Sequence, residues 1–265
     1  MAFKVAYMTR ISDGFNGFLS SWDGNAQLRR ERLAPLMGSL VASSLFTFLL
    51  STFVANGFWL QGIPGVVLMV VVMLVETFVS NVMFTVFLVV VRGGSYGADD
   101  LDRLVKTLPQ QLACFVITYL LSAILMVACT CASALGSSAY NLVSTFVALF
   151  ITLVNAGAAF GCYDGQRNVR KLVTRALEIV FPAFKRAAFA VVMFLLVSLV
   201  VTLGYAVVVT SQVDSYTYNI VMDFFLAGNI GMGLLSVLFN VANYVLAGYF
   251  EMDVLITAVR VYDEE

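Results

Sequence analysis

Tyr163-Asp164-Gly165-Gln166, followed by RNVRKLVTRALEIVFPAFKRAAF over residues 167–189, sets a basic amphipathic stretch between two long apolar runs. Val169, Leu172, Val173, Ala176, Leu177 and Val180 fall at i, +3, +4, +7, +8 and +11, which is one face of a helix. Arg167, Arg170, Lys171, Thr174, Arg175 and Glu178 occupy the other face. The pattern predicts a helix lying flat in a membrane interface, stopped by Pro182, with Lys185 and Arg186 where the next apolar run enters the bilayer.

The composition agrees with a membrane setting. Of 265 residues 61% are hydrophobic and 12% charged, and the mean hydropathy is +0.93; soluble domains carry roughly 25% charged residues. A net charge of −1 supplies no field for nucleic acid, and with no histidine the chain lacks the commonest metal ligand and acid/base group. No HExxH motif, paired intramembrane acids or nucleophile–base constellation is present, so neither an enzyme nor a cofactor or metal site is expected. Cys114, Cys129, Cys131 and Cys162 lie inside apolar runs with no CxxC pair, as small core residues do.

Six apolar segments, about 35–60, 63–91, 109–135, 139–163, 183–211 and 221–250, each reach the roughly 20 residues that cross a hydrocarbon core. The expected fold is therefore all-α: a polytopic membrane protein of six transmembrane helices with amphipathic helices at the cytoplasmic interface. Residues 1–34 form an N-terminal segment, 35–250 the membrane domain and 251–265 a C-terminal tail. Met1 to Arg32 contains no signal-peptide core, and Phe15, Phe18, Leu19 and Trp22 recur at a spacing that lets a short helix rest an aromatic edge at the headgroups.

The connections alternate in charge. Gly57 to Gly65, Gly136 to Tyr140 and Ser211 to Asn219 contain no Lys or Arg, whereas all 15 basic residues lie in the N-terminal segment, after the second span, after the fourth, or in the tail. The positive-inside rule then places both termini in the cytoplasm, here of a plasma (inner) membrane. The first basic connection, RGGSYGADDLDRLVKTLP at 92–109, is a shorter copy of the opening stretch, with Asp99 or Asp100 as cap and Leu101, Leu104, Val105 and Leu108 as the apolar face.

Pro35, Pro109 and Pro182 recur at 73–74 residues, each at the start of an odd-numbered span, and Asn81, Asn155 and Asn229 recur at 74. Three repeated helical hairpins produce such a pattern; Asn240 or Asn243 is the other candidate for the third position, because the last hairpin runs on past Asn229.

Arg92-Gly93-Gly94 to Leu108-Pro109, then Tyr163-Asp164 to Arg167-Asn168-Val169-Arg170-Lys171-Leu172-Val173-Thr174-Arg175-Ala176-Leu177 with Phe181-Pro182 after it, resemble the YesL-like family of small bacterial membrane proteins over roughly residues 60–200. The resemblance implies six helices, no known catalytic activity and an association with sugar-uptake systems. It makes an accessory or regulatory membrane component, linked to bacterial carbohydrate uptake, the expected function, with another membrane or cytoplasmic transport subunit as partner.

The alternative is a small-solute transporter. Glu76 lies well inside the second span, where a carboxylate costs about 2.5–3.5 kcal/mol on insertion scales, so it is paired, hydrogen-bonded, protonated or facing a cavity. With no cation in any span its partners are uncharged: Ser80, or Asn81, Asn155 or Asn243. These define a candidate polar site, either a proton or cation site in a solute pathway or a set of interhelical staples. Arg167, Arg170, Lys171 and Arg175 are candidates for anionic lipid headgroups or a docked partner. Asp223 is read as a cap near the outer surface, Gly157 to Gly161 as a GxxxG contact face, and GNIGMG at 228–233 as close-packed or broken helix rather than a phosphate loop.

Overall fold

The computed structural model describes residues 18–20, 22–55, 63–134, 136–210 and 230–264. Phe15, Asn219, Asp223 and Asn229 lie outside them, as do most residues of the first and last uncharged connections. Among the described residues there are nine helices and no strand: α1 Ala26–Glu31, α2 Leu33–Ala55, α3 Ile63–Val91, α4 Ala98–Lys106, α5 Leu108–Ser133, α6 Ser137–Tyr163, α7 Val169–Arg186, α8 Ala188–Thr210 and α9 Ile230–Glu264. Six of these, α2, α3, α5, α6, α8 and α9, are long and apolar enough to cross a membrane. They are apolar nearly all round, whereas α4 and α7 carry one apolar and one charged face.

The six long helices form three hairpins in a ring. In each hairpin an outer helix (α2, α5 or α8) leads to an inner one (α3, α6 or α9), and the three inner helices contact one another. Each outer helix packs against its own inner helix and against the inner helix of the preceding hairpin: α5 on α6 and α3, α8 on α9 and α6, and α2 on α3 and α9, which closes the ring. The α2–α9 contact is close, for a Cβ at Gly248 would come within 2.6 Å of Leu40 Cδ2. The packing order is cyclic over the three hairpins, but the proline spacing does not carry through: Pro35 and Pro109 stand in the first turns of α2 and α5, whereas Pro182 lies inside α7 and not at the start of α8.

The short helices follow the same order. α4 touches α3, α5 and α6, and α7 touches α6, α8 and α9, in each case the preceding inner helix and both members of the following hairpin; α7 also touches α5. The turns that launch them are alike. Gly93 and Gly165 take φ +85° and +87°, each donating to the carbonyl three residues back, while Gly94 and Gln166 donate to Val89 and Gly161 at 2.9 Å. These are paired Schellman ends, which need a residue tolerant of the left-handed region.

Three expectations change. Pro182 does not stop α7, which runs on to Arg186. A proline removes one donor to the carbonyl four residues back, but Ile179, Val180 and Ala183 around it are fully buried and hold the helix, so the next long helix begins at Ala188 rather than 183. The apolar face of α7 is covered by protein and not by lipid: Leu172, Ala176 and Ile179 lie on Gly161 and Gly157 of α6. The described part of the aromatic edge of the N-terminal segment packs on protein and is partly buried, with Trp22 5.2 Å from Phe189 and 5.3 Å from Phe250 between ring centroids.

The residues beyond 250, expected as a tail apart from the membrane domain, continue the last long helix, with Asp263 and Glu264 exposed at its end. α9 is one helix of 35 residues, about 52 Å long, where about 20 residues suffice to cross a bilayer. Its last turns extend beyond that length at the basic end, and Met252, Val254, Leu255, Ile256, Ala258 and Val259 are completely buried there. Among the described residues the densest core lies at this end, around Phe87, Leu88, Phe160 and Leu255, while Leu49, Val67, Val127 and Val207 toward the other end are exposed.

Candidate functional site

A cavity of about 400 Å³ lies inside the ring, walled by two outer helices, α2 and α5, and by all three inner ones. Its polar lining is Ser43, Ser44 and Thr47 from α2, Thr77, Ser80 and Asn81 from α3, Gln111 from α5, Thr152 and Asn155 from α6, and Tyr244 and Glu251 from α9. Phe84, Phe115 and several small residues complete it. The helices bring these side chains together by simple spacing: Thr77, Ser80, Asn81 and Phe84 fall at i, +3, +4 and +7, and Tyr244 and Glu251 at i and +7. Along the inner helices the lining ends at Phe84, Ala159 and Glu251. Beyond it, toward the basic end, Phe87, Phe160 and Leu255 are fully buried, and Phe160 meets Tyr262 with centroids 5.6 Å apart.

Hydrogen bonds within the helices set what the cavity offers. Thr77 Oγ1 donates to the Met73 carbonyl at 2.7 Å, so its oxygen is left as an acceptor. Thr118 Oγ1 donates to Asn155 Oδ1 at 2.7 Å, linking α5 to α6 beside the cavity. Gln111, 4% exposed, donates from Nε2 to Thr107 Oγ1 at 2.8 Å and to the Leu104 carbonyl at 3.4 Å. That carbonyl fixes which end of the amide is which, and Gln111 Oε1 has no hydrogen-bond partner among the described residues. Glu251 is half-buried, and no hydrogen bond or ion pair holds its carboxylate among the described residues.

Of the residues expected from the sequence, Asn81 and Asn155, the matching positions of the first two hairpins, both line this cavity. Glu76 does not; it sits on α3 one turn beyond Ser80, half-buried, with no partner among the described residues. Asn243 belongs to a separate space of about 60 Å³ between α8 and α9, with Thr202, Tyr205 and Asn240, and its Oδ1 is buried without a partner. Cys114 also lines the cavity; Cys114, Cys129 and Cys162 are buried, but Cys131 is exposed.

Arg170, Lys171 and Arg175 line a second, surface space of about 680 Å³ along α7, with Gln166, Asn168, Glu178 and Tyr262; Arg167 is exposed outside it. Asn168 caps α7 by accepting from the Lys171 amide at 3.2 Å. Arg175 is committed to the fold: its guanidinium lies 4.3 Å over the Tyr262 ring and donates to the Tyr262 carbonyl at 3.2 Å.

The basic end is tied by ion pairs. Arg92, the last residue before Gly93, donates to both oxygens of Asp164, at 2.8 and 2.9 Å, and to Asp263 at 2.6 Å, joining the ends of all three inner helices. Arg186 pairs with Glu264 at 2.5 Å. Hydrogen bonds from the Arg92 guanidinium to Asp164 and Asp263 raise its pKa still further. Partial burial alone would raise the Asp164 carboxyl, but the hydrogen bonds and charge of Arg92 outweigh it and hold Asp164 below its ordinary value. A depressed carboxylate contributes stability above its unfolded pKa, and that stability is lost as pH falls through the folded value. Asp164→Asn is therefore expected to destabilise the protein by up to about 1 kcal/mol at neutral pH, since the pair is a third exposed and screened. The deficit should fade as pH falls below the ordinary aspartate range and through the lowered Asp164 value, which thermal melts of wild type and variant from neutral pH into strong acid will read.

Glu251 was not singled out by its sequence, because it stands at the polar boundary of the apolar run; the apolar stretch VLITAVRVY that follows at 254–262 is the signal that the run has not ended. The chain matches no family model, no curated protein and no solved structure.

Proposed function

We propose that this chain is a multi-pass membrane protein, both termini cytoplasmic, that binds a small polar solute in the ring cavity and carries it across the bilayer. The observation that supports this most is the cavity itself: polar groups from five helices converge on about 400 Å³ of space inside a bundle whose helices are otherwise apolar. A ligand pocket of about 300–1,000 Å³ with a few convergent polar groups is the usual form of a small-molecule site. The buried layer from Phe87 to Leu255 lies between the cavity and the basic end, which supports a carrier that would open on that side in turn. The cavity supports this reading over a purely accessory role, and the carbohydrate link rests on the YesL-like resemblance alone. The exposed cations Arg170 and Lys171 of α7, with Arg167 just before it, suit anionic headgroups at the cytoplasmic interface.

The test is uptake into proteoliposomes of radiolabelled ethanolamine, glycerol, alanine and glucose. At least one is expected to accumulate above protein-free vesicles. Asn81→Leu and Asn155→Leu, each removing one hydrogen-bonding side chain, should cut that uptake about tenfold. Absence of uptake for all four, with correctly inserted protein, would argue against transport.

A further inference from the structure

Resting on the solute-site reading, we infer that the cavity selects a small organic cation, an ammonium group held by Glu251 with Gln111 and the neighbouring hydroxyl and amide oxygens. Two independent features of the lining lead there. The first is charge. Glu251 is the one Asp or Glu on the described cavity wall, and no Lys or Arg lies on that wall to neutralise it. A carboxylate in low-dielectric surroundings without a counter-charge is costly, and a bound cation relieves that cost where a neutral solute leaves it standing.

The second is hydrogen-bond polarity. Gln111 Oε1 is an acceptor, nearly fully buried and without a donor among the described residues, on the same wall. Thr77 has spent its proton on a backbone carbonyl and leaves an oxygen lone pair. A ligand that answers these groups must bring N–H or O–H donors, and one that also answers Glu251 must bring a positive charge; a protonated amine does both. Tyr244, Phe84 and Phe115 supply aromatic surface on which a cation is also stabilised. The volume is far larger than a bare metal ion needs and suits a molecule of several heavy atoms.

The experiment is binding to purified full-length protein at pH 7.5, by calorimetry and thermal shift, with two cations and their neutral isosteres: choline against 3,3-dimethylbutan-1-ol, and 3-amino-1-propanol against 1,3-propanediol. Each cation is expected to bind at least about tenfold more tightly than its isostere, 3-amino-1-propanol through its charge and N–H donors and choline, which has no N–H, through its charge, ring contact and one hydroxyl, and Glu251→Gln to abolish that preference. Glu251→Asp keeps the charge, guards against a mere folding defect and should retain the preference. Equal binding of cations and isosteres overturns the inference and leaves the solute cavity standing. A preference that survives Glu251→Gln also overturns it, as does failure of all four to bind the wild type. Sodium chloride that displaces choline at equal concentration identifies an inorganic-ion site and overturns it too. Charge-selective binding without any uptake of the same cations into vesicles supports the inference while sinking the transport reading.

Discussion

Arg29→Ala is expected to destabilise the protein by about 3–5 kcal/mol, the cost of leaving one half of a buried ion pair without the other. Arg29 in α1 pairs with Asp253 in α9, their side chains 4% and 0% exposed. Asn25 donates to the same carboxylate at 3.0 Å and to Thr257 at 3.1 Å, and the Arg29 guanidinium lies 3.7 Å over the Trp22 ring. Removing the arginine leaves Asp253 in an apolar setting with neutral donors only. Such a pair is a poor source of net stability compared with apolar side chains of similar shape, so the double variant Arg29→Met, Asp253→Leu should recover much of the loss. Thermal melts of the single and double variants in detergent decide it: if both fall equally, the defect is lost packing around Trp22 and not an uncompensated charge.

Gly157→Ala is expected to cost about 1–3 kcal/mol, the range for inserting a methyl into a filled core, even though alanine is the better helix former. A Cβ at Gly157 would stand 2.7 Å from Ile179 Cδ1 and 2.9 Å from the Cα of Ala176, so the backbone of α7 has to move. Gly161→Ala provides the comparison. Its Cβ would meet Leu172 Cδ2 at 2.5 Å, the far end of a rotatable side chain, and its next neighbour only at 3.8 Å. Relief by rotation together with the gain of about 0.5–1 kcal/mol in helix propensity should bring Gly161→Ala close to neutral. If the two substitutions cost the same, the seat of α7 on α6 is looser than the geometry says.

The helices themselves were legible because each depends on local pattern. The limits of α3 at 63 and 91 and of α6 at 163 follow from where apolar runs give way to Arg92-Gly93 and Asp164-Gly165. The amphipathic faces of α4 and α7 follow from periodicity, and the shared site of Asn81 and Asn155 from a repeat spacing. What covers a face was not legible. The period of α7 shows that Leu172 and Ala176 share a side, but lipid and the Gly157–Gly161 surface are equally apolar and leave the same mark on the sequence. Pairs such as Arg29 with Asp253 join residues 224 apart, and no local pattern encodes them. Glu251 was hidden for a related reason: in the chain it closes an apolar run beside Asp253, and only the packing separates the two acids, one onto the cavity and one onto Arg29.

The cyclic order of the hairpins also sets a timetable for biosynthesis. α2 is made before the other five long helices, yet one of its two long-helix neighbours is α9, the last of the six. Until α9 arrives, Leu40 has no Gly248 to meet and Arg29 has no Asp253. The nascent chain therefore carries an unfinished seam on α2 from the time that helix is made until α9 follows. Loss of the C-terminal turns, far from the N-terminus in sequence, would leave the first hairpin with an open flank and a stranded cation, the features by which membrane quality control recognises an unassembled protein.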